Sequence, residues 1–286
     1  RFESEGAHQI RVRIAKRMQK NENEMKVDVT AYDFVGPGLL GLGPLLKWDF
    51  HVRVDTMDDF IVSETILNDI YRVKEIPKIL GYNPETIVDL GAHIGGFSAL
   101  ASRVFAGVSL YAYEAHEDNF VLLQNNLMTS KGYVKFGRDH DNPPNVTVNN
   151  YIVCGDEPPT GFLIDDKLKD TSHGPRLNTG GGKVLYEGES SDIATPHTTL
   201  EQIIDENCLD KIDFLKMDIE GSEFQVLEHT KKTGALDKVK YMACELHINP
   251  TRGRNFDTFM GYLENFSEIE IVHDKKKNHR MVFAKQ

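Results

Sequence analysis

The chain contains the stretch Thr86-Ile87-Val88-Asp89-Leu90-Gly91-Ala92-His93-Ile94-Gly95-Gly96-Phe97, in which an apolar run meets an acid and then a cluster of glycines. Residues 87–90 predict a buried strand. The glycines permit a tight turn and a close approach of the backbone to a ligand. Apolar residues then recur at helical spacing over residues 97–105. The stretch therefore predicts strand, glycine loop and helix, the first unit of a nucleotide-binding α/β sheet.

The spacing of the glycines narrows the choice of nucleotide. Gly91, Gly95 and Gly96 read G-x-x-x-G-G, which differs from the G-x-G-x-x-G of dinucleotide-binding folds, and the chain has no G-K-[ST] of a P-loop. Because Asp89 stands two residues before the first glycine, the segment resembles motif I of class I S-adenosyl-L-methionine (SAM) methyltransferases. A purely structural turn is the alternative for a glycine cluster alone.

Two further strands end in acids. Residues 108–113 are apolar and lead into Glu114, which follows the glycine loop by roughly 20 residues, where a carboxylate meets ribose hydroxyls. Residues 146–153 alternate and lead toward Asp156, at a strand end that lies beside the adenine in a SAM fold. The alternatives are a surface acid at the end of a strand for Glu114 and a turn carboxylate for Asp156.

Residues 212–223 form the second informative stretch, a buried strand that meets acids at its end. Ligands of open α/β sheets gather at the carboxyl ends of strands, so Asp218 and Glu220 are placed for chemistry. Residues 241–247 predict the next strand, with Glu245 and His247 on one face. The placement of these four side chains predicts one polar cluster. The alternatives are that Asp218 caps a turn and that His247 has a structural role.

Composition limits the class of protein. The chain of 286 residues carries 33 Lys and Arg against 44 Asp and Glu, a net charge of −11, which argues against general binding to nucleic acid or anionic membranes. No run approaches the length of a membrane span. The widely spaced Cys154, Cys208 and Cys244 lie in apolar segments and predict buried thiols in a reducing, cytoplasmic location. Since the chain begins with Arg1, a trimmed leader or anchor stays open.

The pattern along the chain predicts a domain and an extension. Residues 1–80 read as an N-terminal extension, with a basic helix, a strand and a helix that pack on the core. Residues 81–286 read as the methyltransferase domain. Within it, residues 157–197 lack periodicity and form a long insertion, which we interpret as a substrate lid or a small β excursion. Residues 268–272 and 280–284 predict a closing antiparallel hairpin.

The full set resembles the FkbM family of SAM-dependent methyltransferases, and the likeness covers residues 55–286. The residues that carry it are 87–95, 112–115 with Asn119, 199–200, 213–223 and 245–247. The segment K-x-D-x-E-G-x-E at residues 216–223 is the most specific, whereas His93 stands where the family usually has Asn. The resemblance implies a Rossmann-like class I fold, with a seven-stranded, mostly parallel sheet and a C-terminal antiparallel hairpin. It also implies methylation of a hydroxyl, often on a sugar, glycolipid or polyketide.

The resemblance also assigns roles. A hydroxyl has a high pKa, so a general base is expected. A divalent metal on the same side chains is the alternative, and we expect metal-free chemistry. The residues expected to bind SAM are Asp89, Gly91, His93, Gly95, Glu114, Ala115 and Asp156. The candidates for the base are His247 and Glu245, with Asp218 and Glu220 as alternatives.

Two other functions compete with this reading. An RNA ribose 2′-O-methyltransferase is suggested by Lys216, Asp218 and Glu245, which loosely match its Lys/Asp/Glu site, and by basic residues near the N-terminus. The net charge speaks against a nucleic-acid partner. The other is a binding module that keeps the fold but does not catalyse a reaction. The acidic residues at the strand ends argue against it. The oligomeric state and the acceptor lie beyond the sequence.

Overall fold

The computed structural model describes residues 11–12, 29–33, 49–53, 55–128, 142–164, 168–171, 174–185, 196–248, 255–274 and 279–286. The described strands are β1 (Arg11–Val12), β2 (Val29–Asp33), β3 (Asp49–Arg53), β4 (Thr86–Leu90), β5 (Ser109–Tyr113), β6 (Asn145–Asn149), β7 (Ile152–Val153), β8 (Gly161–Ile164), β9 (Leu168–Thr171), β10 (Gly174–Leu177), β11 (Gly182–Leu185), β12 (His197–Thr198), β13 (Phe214–Met217), β14 (Tyr241–Leu246), β15 (Glu268–Asp274) and β16 (His279–Lys285). The described α-helices are α1 (Asp58–Ile66), α2 (Ile76–Leu80), α3 (Gly96–Val104), α4 (Glu117–Leu127), α5 (Leu200–Glu206), α6 (Glu223–Thr233) and α7 (Phe256–Tyr262).

A seven-stranded sheet forms the centre of the fold, in the order β15-β16-β14-β13-β4-β5-β6. Strands β14, β13, β4, β5 and β6 run parallel, and β16 pairs antiparallel with both β14 and β15. This arrangement confirms the predicted α/β class I fold with its C-terminal antiparallel hairpin. The central strands are apolar throughout because a parallel sheet is covered on both faces.

Helices cover both faces of the sheet and make two cores. Ile87 on β4 and Phe214 on β13 point into a core shared with α1 to α4. Their neighbours Val88 and Leu215 point into the opposite core, shared with α5 to α7. This alternation follows from the period of two in a strand. The sheet is therefore fixed from both sides, and its carboxyl edge is a rigid platform for a site.

Some predictions fall partly outside the described residues. Of the predicted basic helix near the N-terminus, only Arg11–Val12 are described, and they form a strand that pairs with β2. In the insertion over residues 157–197, β8 pairs antiparallel with β11, and β9 with β10. The division of the chain at residue 80 and the lid role of the insertion stay predictions.

Two predictions from composition can be compared with the described residues. Among the described residues, no helix combines the length and apolarity needed to cross a bilayer. Cys154 and Cys244 are free and buried, as predicted, but Cys208 is exposed. The prediction was wrong for Cys208 because it lies in the turn after α5, in the left-handed backbone region with φ of 51°.

Candidate active site

A cavity of about 490 Å³ lies where the central strands end. The sheet order places the carboxyl ends of β14, β13, β4 and β5 side by side. Neighbouring strands are about 4.8 Å apart, so these four ends span roughly 14 Å. Seven of the eleven residues that the sequence nominates line the cavity: Gly91, His93, Glu114, Ala115, Asp218, Glu220 and Glu245.

The glycine loop is tied to the end of β5. Gly91 has φ of +79°, and an added Cβ would lie 1.7 Å from the backbone oxygen of Asp218, so only glycine fits. The amides of Gly91 and Ala92 both donate to the carbonyl of Tyr113 at 2.9 Å. His93 is left-handed, with φ of 49°. The loop therefore turns sharply and brings its backbone to the cavity.

Asp89 and Lys216 support this loop from behind. Asp89 is fully buried; it accepts from Ser98 Oγ at 2.6 Å and lies 3.2 Å from Lys216 Nζ. Lys216 also donates to the carbonyls of Leu90 at 3.2 Å and Gly91 at 2.5 Å. Burial alone would lower the pKa of Lys216, but the Asp89 carboxylate raises it. Neither side chain lines the cavity, so both shape the loop and do not face a ligand.

Gly95 also acts on the structure of the loop. It begins α3 as the N-cap, with φ of 97°. An added Cβ would lie 3.0 Å from Leu123 Cδ1 on α4. Gly95 therefore permits the close packing of α3 on α4 and does not line the cavity.

Glu114 is held in place by three donors. Its side chain is buried, and Oε2 accepts from the His93 amide at 2.8 Å. Oε1 accepts from the His116 amide at 3.0 Å and from Asn119 Nδ2 at 3.1 Å. Because these bonds fix the carboxylate at the cavity wall, Glu114 is pre-oriented in the position expected to meet a ribose.

Asp156 lies away from the cavity. It is exposed, and it bonds to His229 Nδ1 and to Lys232 Nζ, at 3.2 Å, on α6. Those two hydrogen bonds lower the pKa of Asp156. The strand end that it follows instead contributes Val153 to the cavity, and Phe162 lines the wall nearby. The expected contact of Asp156 with adenine is thus not supported, and apolar side chains occupy that wall.

The acids after β13 and on β14 form one cluster with His247. Asp218 Oδ2 accepts from Tyr71 OH at 2.9 Å. His247 Nε2 lies 3.5 Å from Glu220 Oε2, and His247 Nδ1 lies 2.9 Å from Glu223 Oε1. Glu223 is fully buried and also accepts from two backbone amides of the turn before α6. His247 is thus fixed behind Glu220, which faces the cavity.

Burial and neighbouring charges raise the pKa values of Glu220 and His247. Burial raises the pKa of Glu220 to about 8, and Asp218, Glu223 and Glu245 add to the rise against the lowering effect of His247. Burial alone would lower the pKa of His247, but Glu223 and Glu220 raise it well above its usual value. Such perturbed groups at a strand edge are typical of active sites.

The same cluster has the composition of a metal site. Asp218, Glu220 and His247 each offer one ligand atom, and these atoms lie within 4.8 Å of one another. Two carboxylates and an imidazole suit several divalent cations. The geometry therefore permits a metal as well as metal-free acid–base chemistry.

A second network joins the insertion to the glycine loop. The Arg53 guanidinium donates two hydrogen bonds to Asp58, at 2.8 and 2.9 Å, and Thr179 Oγ1 donates to Asp58. His93 Nε2 lies 3.2 Å from Thr179 Oγ1, and Asn119 donates to the Thr179 carbonyl at 3.1 Å. Although burial alone would raise the pKa of Asp58, hydrogen bonds with His93 and Arg53 lower it.

Sequence reasoning missed several of these residues. Glu223 had a signal, because it ends the K-x-D-x-E-G-x-E segment. No local pattern marks Tyr71, which is 147 positions from Asp218, or Thr179, which is 121 positions from Asp58. Contacts at such separations depend on tertiary packing and leave no periodicity in the sequence.

The family comparison covers most of the residues that line the cavity. The model described as the methyltransferase FkbM domain matches residues 89–271, more than half of the chain. The chain belongs to the FkbM methyltransferase family. The match confirms the expected family, and it includes the glycine loop, Glu114 and the acidic strand ends. A search of curated proteins finds no match.

Solved structures give distant likenesses. EvdMO1 shares 13% identity over 75% of this chain and 40% of its own, with a TM-score of 0.41. Its N-terminal domain, crystallised in the presence of SAH and D-fucose, shares 12% identity over 75% of this chain and 81% of that domain, with a TM-score of 0.41. Monomeric WbdD shares 11% identity over 78% of this chain and 41% of its own, with a TM-score of 0.42. The FkbM chain described here therefore spans about two fifths of the length of the full EvdMO1 and WbdD chains.

Proposed function

We propose that this FkbM protein is a SAM-dependent O-methyltransferase that acts on a hydroxyl of a small molecule, such as a sugar, glycolipid or polyketide. One observation carries the proposal: a single cavity joins the Gly91 loop and the fixed Glu114 carboxylate to the acids at the ends of β13 and β14. The first part suits a nucleoside-type cofactor, and the second suits removal of a hydroxyl proton.

The chemistry of the lining fits SAM better than a phosphate-bearing cofactor. Five carboxylates line the cavity, and none of the lining residues in the described part of the chain is Lys or Arg. Phosphates are bound by cations and helix N-termini, so a dinucleotide would find few partners here. A sulfonium cation is favoured by the same carboxylates.

The chain's own residues divide into binding and proton-handling groups. We infer that Gly91, His93, Glu114 and Ala115 hold the cofactor, with Val153 and Phe162 of the apolar wall beside its base. When bound, SAM supplies an electrophilic methyl group on sulfur and leaves as S-adenosylhomocysteine.

On the acceptor side, the hydroxyl proton would pass to the ionised form of Glu220, which faces the cavity, and His247 lies 3.5 Å behind it. Glu223 holds the Nδ1 side of His247 and so keeps Nε2 directed at Glu220. Tyr71 keeps its proton, because burial and the Asp218 carboxylate raise its pKa well above its usual value. The phenol therefore donates to Asp218 and fixes the direction of that carboxylate.

A metal-assisted variant is the second candidate, supported by the spacing of Asp218, Glu220 and His247. A bound divalent ion would lower the pKa of the acceptor hydroxyl. Protein treated with EDTA should be titrated with Mg²⁺ and Mn²⁺. Saturable binding that Asp218→Asn abolishes, together with turnover that needs the ion, would favour this variant over metal-free chemistry.

The RNA ribose reading loses its main support. Lys216 is buried and donates to the carbonyls of the glycine loop, so it does not face the cavity as a catalytic lysine would. The net charge of −11 also opposes binding to a polyanion.

Free cysteines agree with the reducing, cytoplasmic setting that we propose.

The test is calorimetric titration with S-adenosylhomocysteine beside NADH, with and without Mg²⁺. We expect micromolar binding of S-adenosylhomocysteine and none of NADH. Binding of neither would remove the cofactor assignment, and binding of NADH alone would replace it with a dehydrogenase.

A further inference from the structure

The carboxylate of Glu114 is connected to the insertion by hydrogen bonds. Asn119 Nδ2 donates to Glu114 Oε1 at 3.1 Å. The same nitrogen donates to the carbonyl of Thr179, also at 3.1 Å. Thr179 is buried and lies between β10 and β11, within the insertion. The residue expected to meet the ribose is therefore held from a part of the chain far from it in sequence.

An ion pair with a fully buried carboxylate supports the same residues from behind. The Arg53 guanidinium, at the end of β3, donates to Asn119 Oδ1 at 2.6 Å and to Asp58 Oδ1 at 2.9 Å. Asp58 is the first residue of α1 and accepts from Thr179 Oγ1. Asn119 and Thr179 line the cavity, whereas Arg53 and Asp58 do not. The ion pair consequently acts on the cavity through those two side chains.

The direction of these bonds fixes a proton on the ring of His93. Asp58, paired with Arg53, is ionised and only accepts hydrogen bonds, and a threonine hydroxyl has one hydrogen to donate. Because Thr179 Oγ1 gives that hydrogen to Asp58, it can only accept from His93 Nε2, which lies 3.2 Å away. Nε2 also lies 3.4 Å from Asp58 Oδ1. Nε2 therefore carries a proton, whether the imidazole is neutral or charged.

His93 depends on such support because its backbone is left-handed, with φ of 49°. A residue with a side chain keeps this conformation only where its surroundings hold it there. The His93 amide donates to Glu114 Oε2 at 2.8 Å, and its ring bonds to Thr179. Since the two bonds hold opposite ends of one residue, loss of the ring bond should loosen the amide that fixes Glu114.

We propose that Thr179 is a positioning residue for cofactor binding: its hydroxyl, directed by Asp58, holds the ring of His93, and His93 in turn fixes Glu114 in the geometry that meets the ribose. The inference rests on the proposed function and deepens it, because it gives the insertion and the start of α1 a part in the cofactor site.

The variants Thr179→Val and Thr179→Ser test this role by calorimetric titration of the full chain with S-adenosylhomocysteine. Valine keeps the shape of threonine without the hydroxyl, and serine keeps the hydroxyl. We expect binding about fivefold weaker in Thr179→Val, the effect of one lost hydrogen bond, and within about twofold of the natural protein in Thr179→Ser. Equal affinity of the valine variant and the natural protein, or no rescue by serine, would overturn the inference.

A double-mutant cycle tests whether Thr179 acts through Glu114. Losses add for independent residues and fail to add for residues in one network, so Thr179→Val should weaken binding by less than about twofold when Glu114→Gln is already present. The same loss in both backgrounds would show that Thr179 acts without Glu114, contrary to the proposal.

The ring of His93 gives a readout that needs no cofactor. Long-range ¹H–¹⁵N NMR of the cofactor-free protein should show a proton on His93 Nε2, in a signal identified by its loss in His93→Gln. A proton on Nδ1 alone would contradict the direction of bonding from Asp58 through Thr179 and overturn the inference.

Thr230→Val is the matched control, because Thr230 is also buried but its hydroxyl donates to the Leu227 carbonyl within α6. It should leave the affinity unchanged, and thermal melting should show that each variant is folded. A loss as large as that of Thr179→Val would assign the effect to packing and overturn the inference. Failure of the natural protein to bind S-adenosylhomocysteine would overturn the proposed function, whereas normal binding that Thr179→Val leaves intact overturns the inference alone.

Discussion

Lys216 Nζ lies 2.5 Å from the carbonyl oxygen of Gly91 and so joins the end of β13 to the turn after β4. The same ammonium lies 3.2 Å from Asp89 Oδ1. Both side chains are buried. One cation thus forms an ion pair with a buried carboxylate and holds the glycine loop in the shape that opens onto the cavity.

Replacing Lys216 by Met should unfold this arrangement. The change leaves the Asp89 carboxylate buried without its partner, which costs about 3–5 kcal/mol of the free energy of unfolding. Urea denaturation measures the loss, and S-adenosylhomocysteine affinity should fall with it. The double variant Lys216→Met/Asp89→Asn should lose less stability than Lys216→Met alone, because it buries no uncompensated charge. Lys232→Met, at an exposed position on α6, is the control; equal losses in the two single variants would contradict the role given to Lys216.

Glu114→Gln tests the cofactor half of the cavity. The substitution keeps the size of the side chain but removes the charge and one of two acceptor oxygens, which now serve His93 and Asn119. We expect the affinity for S-adenosylhomocysteine, measured by calorimetry, to fall by at least about tenfold, the effect of one hydrogen bond to a charged group. Glu117→Gln should leave it unchanged. Unchanged affinity in Glu114→Gln would remove the role assigned to this carboxylate.

The fold could be predicted from the sequence because its determinants are local. The apolar run before Gly91 and the run at residues 212–217 each identify a buried strand without knowledge of the rest of the chain. The acids at the strand ends were predictable for the same reason, since the carboxyl edge of a parallel sheet collects them.

The parts of the site that depend on packing were not predictable. Asp156 follows a strand as expected, but its chain turns outward and pairs with α6. Tyr71 and Thr179 reach the site across long separations in sequence. Asp89 and Lys216 have the residue types of a catalytic site, and only burial reveals that they support the loop.

Glu220→Gln and His247→Gln should separate chemistry from binding. If the hydroxyl proton passes to this pair, either change should lower turnover by about 100-fold or more, the range for loss of a general base. The affinity for S-adenosylhomocysteine should stay within about threefold, because the cofactor residues lie at β4 and β5. Turnover is measured as S-adenosylhomocysteine released with an accepted hydroxyl compound. Full turnover in both variants would move the base to Asp218 or Glu245.

Asp213 gives a prediction about stability and pH. Its buried carboxylate accepts from the amides of Glu85 at 2.8 Å and Thr86 at 3.1 Å, and from Tyr82 OH at 2.9 Å. Lys211 Nζ lies 2.9 Å away. Burial alone would raise the pKa of Asp213, but Lys211 and these hydrogen bonds lower it below its usual value. The ionised carboxylate therefore fastens the start of β13 to the start of β4.

The sign of the pH effect follows from that lowered pKa. A carboxyl group with a lower pKa in the folded state stabilises the fold above its unfolded pKa of about 3.9, and this contribution is lost as pH falls through the folded value. Asp213→Asn should cost about 1–3 kcal/mol at pH 7, because the amide serves fewer of the donors. In urea denaturation from pH 7 to pH 3, the gap between the natural protein and Asp213→Asn should narrow below about pH 4. Asp210→Asn, an exposed neighbour, should show no such gap at any pH; a constant gap for Asp213→Asn would mean that the charge of the carboxylate does not stabilise this junction.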